Sequence, residues 1–272
     1  MTHYELFLTA SITGLEILLC ILVWIRHLQS RLPFFTGYAV TILAATLSQM
    51  YVIAIYGYRG SVTTFYYIWI SYGCVLLARS ATILELFRDI FKPYPGIWGL
   101  TWRLLAVLTL ILLVHGAMDA QGQINWLAAG GLTLERDVDI ASFLILATML
   151  LIGNYYHLPI ESIHKWIALG ICFFCVIEYA NSSVLRNLLA QYMSSGVATK
   201  AQVDRINDLW NTIYTAASAA SLGSWCYLLR KPLPEPAKHP VLLPAGVYQE
   251  LSPAINLRLR ALNDHLEEML RS

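Results

Sequence analysis

The sequence predicts an all-α integral membrane protein, a bundle of seven transmembrane helices followed by a short cytoplasmic C-terminal helix. Three observations carry that prediction. Seven apolar stretches, each of bilayer-crossing length, occupy most of the 272 residues. The composition is 57% hydrophobic and only 13% charged, with a mean hydropathy of +0.57, whereas soluble domains carry about 25% charged residues. Lysines and arginines are distributed unevenly between the two sets of connections, which sets an orientation.

A helix needs roughly 20 apolar residues to cross the hydrocarbon. The spans fall at about 4–25, 34–58, 65–87, 103–119, 136–157, 163–187 and 203–229, together a membrane domain of residues 1–230. Backbone groups cannot stay unpaired in lipid, so each span is expected to be helical. The runs are too long for barrel strands and lack their alternation. The first begins at Tyr4, with neither a basic leader nor a small-residue cleavage site after it, so a retained helix is expected rather than a signal peptide. The second carries Thr41, Ser48 and Gln49. The third contains Arg79 and is stopped by Phe91-Lys92-Pro93-Tyr94-Pro95-Gly96, whose prolines remove donors and disfavour helix at the residues before them. The fourth leads into the longest outer connection, Gln121 to Thr133, where Asn125-Trp126-Leu127 is expected to form a short amphipathic turn on the membrane surface. The sixth holds Cys172, Cys175 and Glu178. The seventh holds Asp204, Asp208, Asn211, Thr215 and Ser218.

With the N-terminus outside, Arg26, Arg31, Arg88, Lys92, Arg103, Lys165, Arg230, Lys231 and Lys238 fall on the cytoplasmic side. Only Arg59, Arg136, Arg186, Lys200 and Arg205 fall outside, together with Asp119, Glu135, Asp137, Asp139, Asp204 and Asp208. The excess predicts an N-terminus outside and a C-terminus inside, in an inner or plasma membrane. Trp24, Tyr66, Tyr67, Tyr155, Tyr156 and Trp166 sit near span ends as an interfacial aromatic belt. Residues 231–251 read as a semi-rigid linker, with five prolines between Lys231 and Pro244. Ser252-Pro253 then has the form of a helix start. Over 252–272, Ile255, Leu259, Leu262, Leu266 and Met269 recur at helical spacing. So short a helix is marginal alone in water. Its stripe needs the protein's own cytoplasmic face, the membrane surface, a partner protein or a second copy.

A charged side chain near the bilayer centre costs about 2.5–3.5 kcal/mol on insertion scales. Glu16, Arg79 and Glu178 carry that cost here. Thr9, Thr13, Glu16 and Cys20 share one face of the first helix, and Cys175, Glu178 and Ser182 one face of the sixth, with Asn181 beside them. In a closed bundle the first, sixth and seventh helices bring such faces together. Glu16, Gln49, Arg79, Glu178, Asn181, Asp208 and Asn211 are therefore the candidate ligand-binding residues. The competing reading is that Arg79 pairs with a glutamate and that the hydroxyls and amides hold helices together. A proton or ion path is a third.

Other chemistry finds little support. No lysine lies in the interior of a span, and the middle of the seventh is Tyr214-Thr215-Ala216-Ala217-Ser218, so no retinal Schiff base is expected. Haem would want facing histidines. His27, His157 and His164 cluster at cytoplasmic ends, His115 lies toward an outer end, and ordinary interface roles explain them. The five cysteines lie within apolar runs, so free buried thiols are expected, and Cys172-x-x-Cys175 lacks the further ligands of a metal site. No hydrolase, metalloprotease or phosphate-loop motif is present. No enzyme activity and no cofactor are expected. A net charge of +1 argues against nucleic acid. Seven spans without interior prolines also lack the paired, broken halves of many carriers.

In its topology, the Phe91–Gly96 loop and the helical stub after the last span, the chain resembles bacterial seven-helix membrane proteins. It is similar, more loosely, to the seven-helix input regions of bacterial sensors, over about residues 1–230. Those sensors continue into a kinase or cyclase domain, and this sequence ends at Ser272. The resemblance implies a non-enzymatic receptor- or sensor-like protein that signals to a separate partner through its tail. A structural subunit of a larger membrane complex is the alternative, and a channel or transporter the next.

Overall fold

The structure, a computed structural model, describes residues 3–56, 62–92, 95–121, 126–155, 158, 160–194 and 200–231, and near the C-terminus Asp264, Glu268 and Met269. Eight helices appear among the described residues: α1 (His3–Ile25), α2 (Leu28–Arg31), α3 (Pro33–Tyr56), α4 (Val62–Phe91), α5 (Pro95–Ala120), α6 (Trp126–Tyr155), α7 (Ser162–Ser194) and α8 (Lys200–Leu229). No strand occurs among them. Six helices, α1 and α3 to α7, are long and apolar enough to cross a bilayer, the mark of a multi-pass membrane protein. The seventh predicted span is helical throughout as α8. It is not among those six: its first half holds Asp204, Arg205, Asp208 and Asn211, and its second half is rich in Ser, Thr, Ala, Tyr and Trp rather than Leu, Ile and Val.

Local chemistry explains the boundaries. After α1 the chain turns at His27, whose φ of 54° is left-handed, and α2 adds one helical turn that the sequence reading does not anticipate. Proline disfavours helix at the residue before it. Leu32, preceding Pro33, leaves the helical region at φ −133° and ψ 69°, and Pro33 opens α3. The first turn of α3 has unsatisfied N–H groups. The carboxylate of Glu85 on α4 accepts two of them, Phe34 N–H at 3.0 Å and Phe35 N–H at 2.9 Å. Pro95 likewise opens α5. The expected surface turn around Trp126 is instead the start of α6. Glycines there permit close packing rather than ending the helix: a Cβ on Gly131 would lie 2.9 Å from the Trp69 ring of α4.

The helices close into a ring in which α1 packs on α3 and α8, α3 on α4, α5 on α6, α6 on α7, and α7 on α8. α4 reaches inward to touch α6 and α7. α1 and α8 finish at the same end, where Arg26 donates to the backbone carbonyls of Leu229 (2.8 Å) and Arg230 (2.5 Å). Those are the carbonyls that a helix C-terminus leaves unpaired. The apolar core sits at this end, built on Leu19, Phe35, Leu86, Met149, Ile167, Trp225 and Leu229. The Trp225 indole N–H donates to Trp166 O, and its ring meets Phe35 edge-on at 5.5 Å. A Cβ on Gly170 would overlap that indole, so glycine there lets α7 and α8 approach. Large apolar side chains cover the outside, as with Leu77, Leu110 and Leu151, the face lipid requires.

The linker 232–251 and Ile255, Leu259, Leu262 and Leu266 lie outside the described residues. Asp264, Glu268 and Met269 are helical, and Met269 is exposed.

Candidate functional site

Away from the packed end, the ring encloses a cavity of about 300 Å³. α1 contributes Thr9, Ile12 and Glu16 to its wall, α3 contributes Tyr38, Thr46 and Gln49, and α4 contributes Tyr72 and Arg79. Glu135 of α6 and Phe174 of α7 reach it, and α8 closes it with Tyr214, Ser218 and Trp225. Aliphatic side chains such as Ile42, Ile68, Val75 and Leu222 fill the space between the polar groups. The cavity therefore combines an apolar wall with few polar anchors, the usual character of a small-molecule pocket.

Arg79 is the pivot. It is buried and bonds Asp139 of α6, itself fully buried, through one guanidinium nitrogen. The Arg79 guanidinium also lies 5.2 Å from the centre of the Phe174 ring, a cation–π contact. Two charges taken out of water lose several kcal/mol each, and mutual attraction offsets this only where geometry and further hydrogen bonds are good. The guanidinium Nε and one Asp139 oxygen have no hydrogen-bond partner among the described residues, so the pair is neutralised but not saturated. The sequence expectation of a glutamate partner for Arg79 gives way to this aspartate.

Glu16 is differently placed. It is 3% exposed and lines the cavity. One oxygen accepts from the Thr46 hydroxyl at 3.0 Å, and the other is buried with no hydrogen-bond partner among the described residues. On the opposite wall the Tyr72 hydroxyl donates to Glu135. Gln49 donates to Ser71 at 2.5 Å, which keeps its amide within the α3–α4 seam while its side chain lines the cavity.

Glu178 belongs to the α7–α8 seam. It is fully buried and accepts from the Trp210 indole N–H (3.2 Å), Ser182 (3.4 Å) and Asn181 (3.5 Å). Asn181 also donates to the carbonyl of Trp210 at 3.3 Å. These bonds tie two helices together and satisfy the carboxylate. Asp208 and Asn211 are exposed. Of the seven candidates, Glu16, Gln49 and Arg79 thus meet at one cavity, Glu178 and Asn181 meet at a helix seam, and Asp208 and Asn211 are exposed on α8, on the same stripe as the cavity-lining Thr215 and Ser218. All five cysteines are free thiols. His164 sits 3.6 Å from Asp89 and 3.7 Å from Glu161, and His157 lies outside the described residues.

Glu135, Asp139 and Tyr72 escaped the sequence reading, which counted the two acids with an outer connection. A signal was available: Glu135, Asp139, Ser142, Leu146 and Met149 are all buried and recur at spacings of four, three, four and three, one face of α6. Comparison with known protein families, curated proteins and solved structures finds no match to this chain.

Proposed function

We propose that the chain is a seven-helix receptor- or sensor-like protein of an inner or plasma membrane, non-enzymatic, that holds a small ligand in this cavity. α8 is its seventh span, with the N-terminus outside and the tail in the cytoplasm. The observation that carries this reading is the asymmetry of the bundle: a packed apolar core at the end where α1 and α8 finish, and a polar-anchored cavity in the other half. A purely structural bundle gains nothing from a void that leaves a buried carboxylate oxygen without a partner, because such a group keeps its full desolvation cost. The joint end of α1 and α8, made by Arg26, supports an odd number of crossings between them.

A ligand in the cavity would touch α1, α3, α4 and α8 together, and α8 leads directly into the tail. Binding is therefore expected to change hydrogen-exchange protection in residues 252–272 of the purified full chain. A broad ligand panel that binds yet leaves the tail unchanged would count against signalling through it. The second reading, an accessory subunit of a membrane complex, draws on the α7–α8 seam, where Glu178 and Asn181 serve helix association. Its mark is stoichiometric co-purification in mild detergent with the tail buried in another chain.

A further inference from the structure

We propose that the cavity takes a small organic ammonium ion, with its cationic head on Glu16 and its hydrocarbon against the aromatic wall; this rests on the pocket reading above. Glu16 is held in place by Thr46 through one oxygen, its side chain lines the cavity, and its second oxygen is buried with no hydrogen-bond partner among the described residues. A carboxylate in that state needs a donor, and a charged donor restores most of what burial removes. The protein offers none of its own: no ion pair to Glu16 occurs among the described residues, and Arg79 is committed to Asp139. The second wall carboxylate, Glu135, accepts from Tyr72. The wall thus presents two carboxyl groups and one arginine that is already paired with Asp139, which leaves no free cation among the described lining residues to hold an anion.

The shape and lining narrow the cation. A divalent metal takes six or more oxygen ligands, and the apolar residues around Glu16 do not supply them. Aromatic rings do suit an ammonium, which is attracted to their faces. Tyr38 and Trp225 lie with ring centres 6.2 Å apart, and Phe174 and Tyr214 5.7 Å apart. Phe174 already carries the Arg79 cation, which leaves Tyr38, Tyr72, Tyr214 and Trp225 for the guest. At about 300 Å³ the cavity holds a compact guest, not an acyl chain.

The test uses the full chain in lipid nanodiscs, with empty nanodiscs as the partition control, and three probes of similar size measured by calorimetry. These are 2-phenylethylammonium, 2-phenylethanol and phenylacetate. Saturable binding of the ammonium at least tenfold tighter than the alcohol, with no competition from the carboxylate, is expected. Glu16→Gln should weaken the ammonium at least tenfold, and Arg88→Gln, at an exposed position away from the cavity, should leave it unchanged. Equal binding of ammonium and alcohol in the wild-type chain overturns the inference but leaves the pocket reading standing, and needs no variant to fold. Preference for phenylacetate, or ammonium binding indifferent to Glu16→Gln, overturns it as well. Failure of all three probes overturns the inference and counts against the pocket reading with it.

Discussion

Arg79 and Asp139 set the cost of the bundle's interior. Each makes the other's burial tolerable, so removing one leaves an uncompensated charge, a loss of about 3–5 kcal/mol. Asp139→Ala is therefore expected to lower thermal stability in detergent sharply, and Arg79→Met combined with Asp139→Leu to recover most of it. A single variant as stable as the wild type would show that the pair does not hold α4 to α6. At the cavity wall, Tyr72→Phe removes the hydroxyl that Glu135 accepts from. It should cost about 1–3 kcal/mol, the penalty for an unsatisfied buried acceptor, read from the same melting curves. At this scale the sequence was half legible. Glu16, Arg79 and Glu178 stand out as lone charges within apolar runs. Glu135 and Asp139 do not, because a charge near a span's end has water within reach in one tertiary arrangement and none in another. Only the packing of α4 against α6 decides which. Nor could spacing alone separate Glu16, which faces a cavity, from Glu178, which bonds a tryptophan across a seam.

Helix ends and helix seams are where the elements become specific. Glu85 caps α3 from another helix, so Glu85→Ala should destabilise by about 0.5–2 kcal/mol, the worth of an N-cap. It should also speed amide exchange at Phe34 and Phe35 while leaving the middle of α3 protected; unchanged exchange at those two amides would deny the cap. Gly170 keeps α7 close to α8 at the buried Trp225. Gly170→Ala forces overpacking, with an expected loss of about 1–3 kcal/mol, and a neutral result would mean the indole has room to move. The apolar runs made α1 and α3 to α7 readable as helices from composition alone. The start of α6 was misread as a surface turn in the Gln121–Thr133 connection, although Gly130 and Gly131 there are part of the helix. In the bundle they are contact surface, Gly130 O lying 3.4 Å from a Cβ placed on Gly116. The turn α2 was invisible, since it depends on His27 adopting a left-handed conformation that histidine does not advertise. Along α8, Ser, Thr, Ala and aromatic residues stand where the other spans carry Leu, Ile and Val, and some of them, as with Ser221 and Trp225, bond α7.

The bundle divides along its length into a packed half and a cavity half. The proposed function needs that division to coincide with the two sides of the bilayer. On the proposed arrangement, with α8 as a seventh crossing and the N-terminus outside, the cavity half would lie toward the exterior. A reporter fused after Lys231 should accordingly behave as cytoplasmic, and an exterior signal would remove the seven-span arrangement. The most direct test of the central claim is single-cysteine labelling of the wall from the outer side. Thr46→Cys and Gln49→Cys are made in a background free of native cysteines and exposed to a small membrane-impermeant methanethiosulfonate. Both positions line the cavity, and both should react in intact membranes, while Leu86→Cys in the packed core should react only after denaturation. Labelling of Leu86→Cys at the same rate, or silence at Thr46→Cys and Gln49→Cys, would mean that the interior is filled or faces the other way, and would contradict the account.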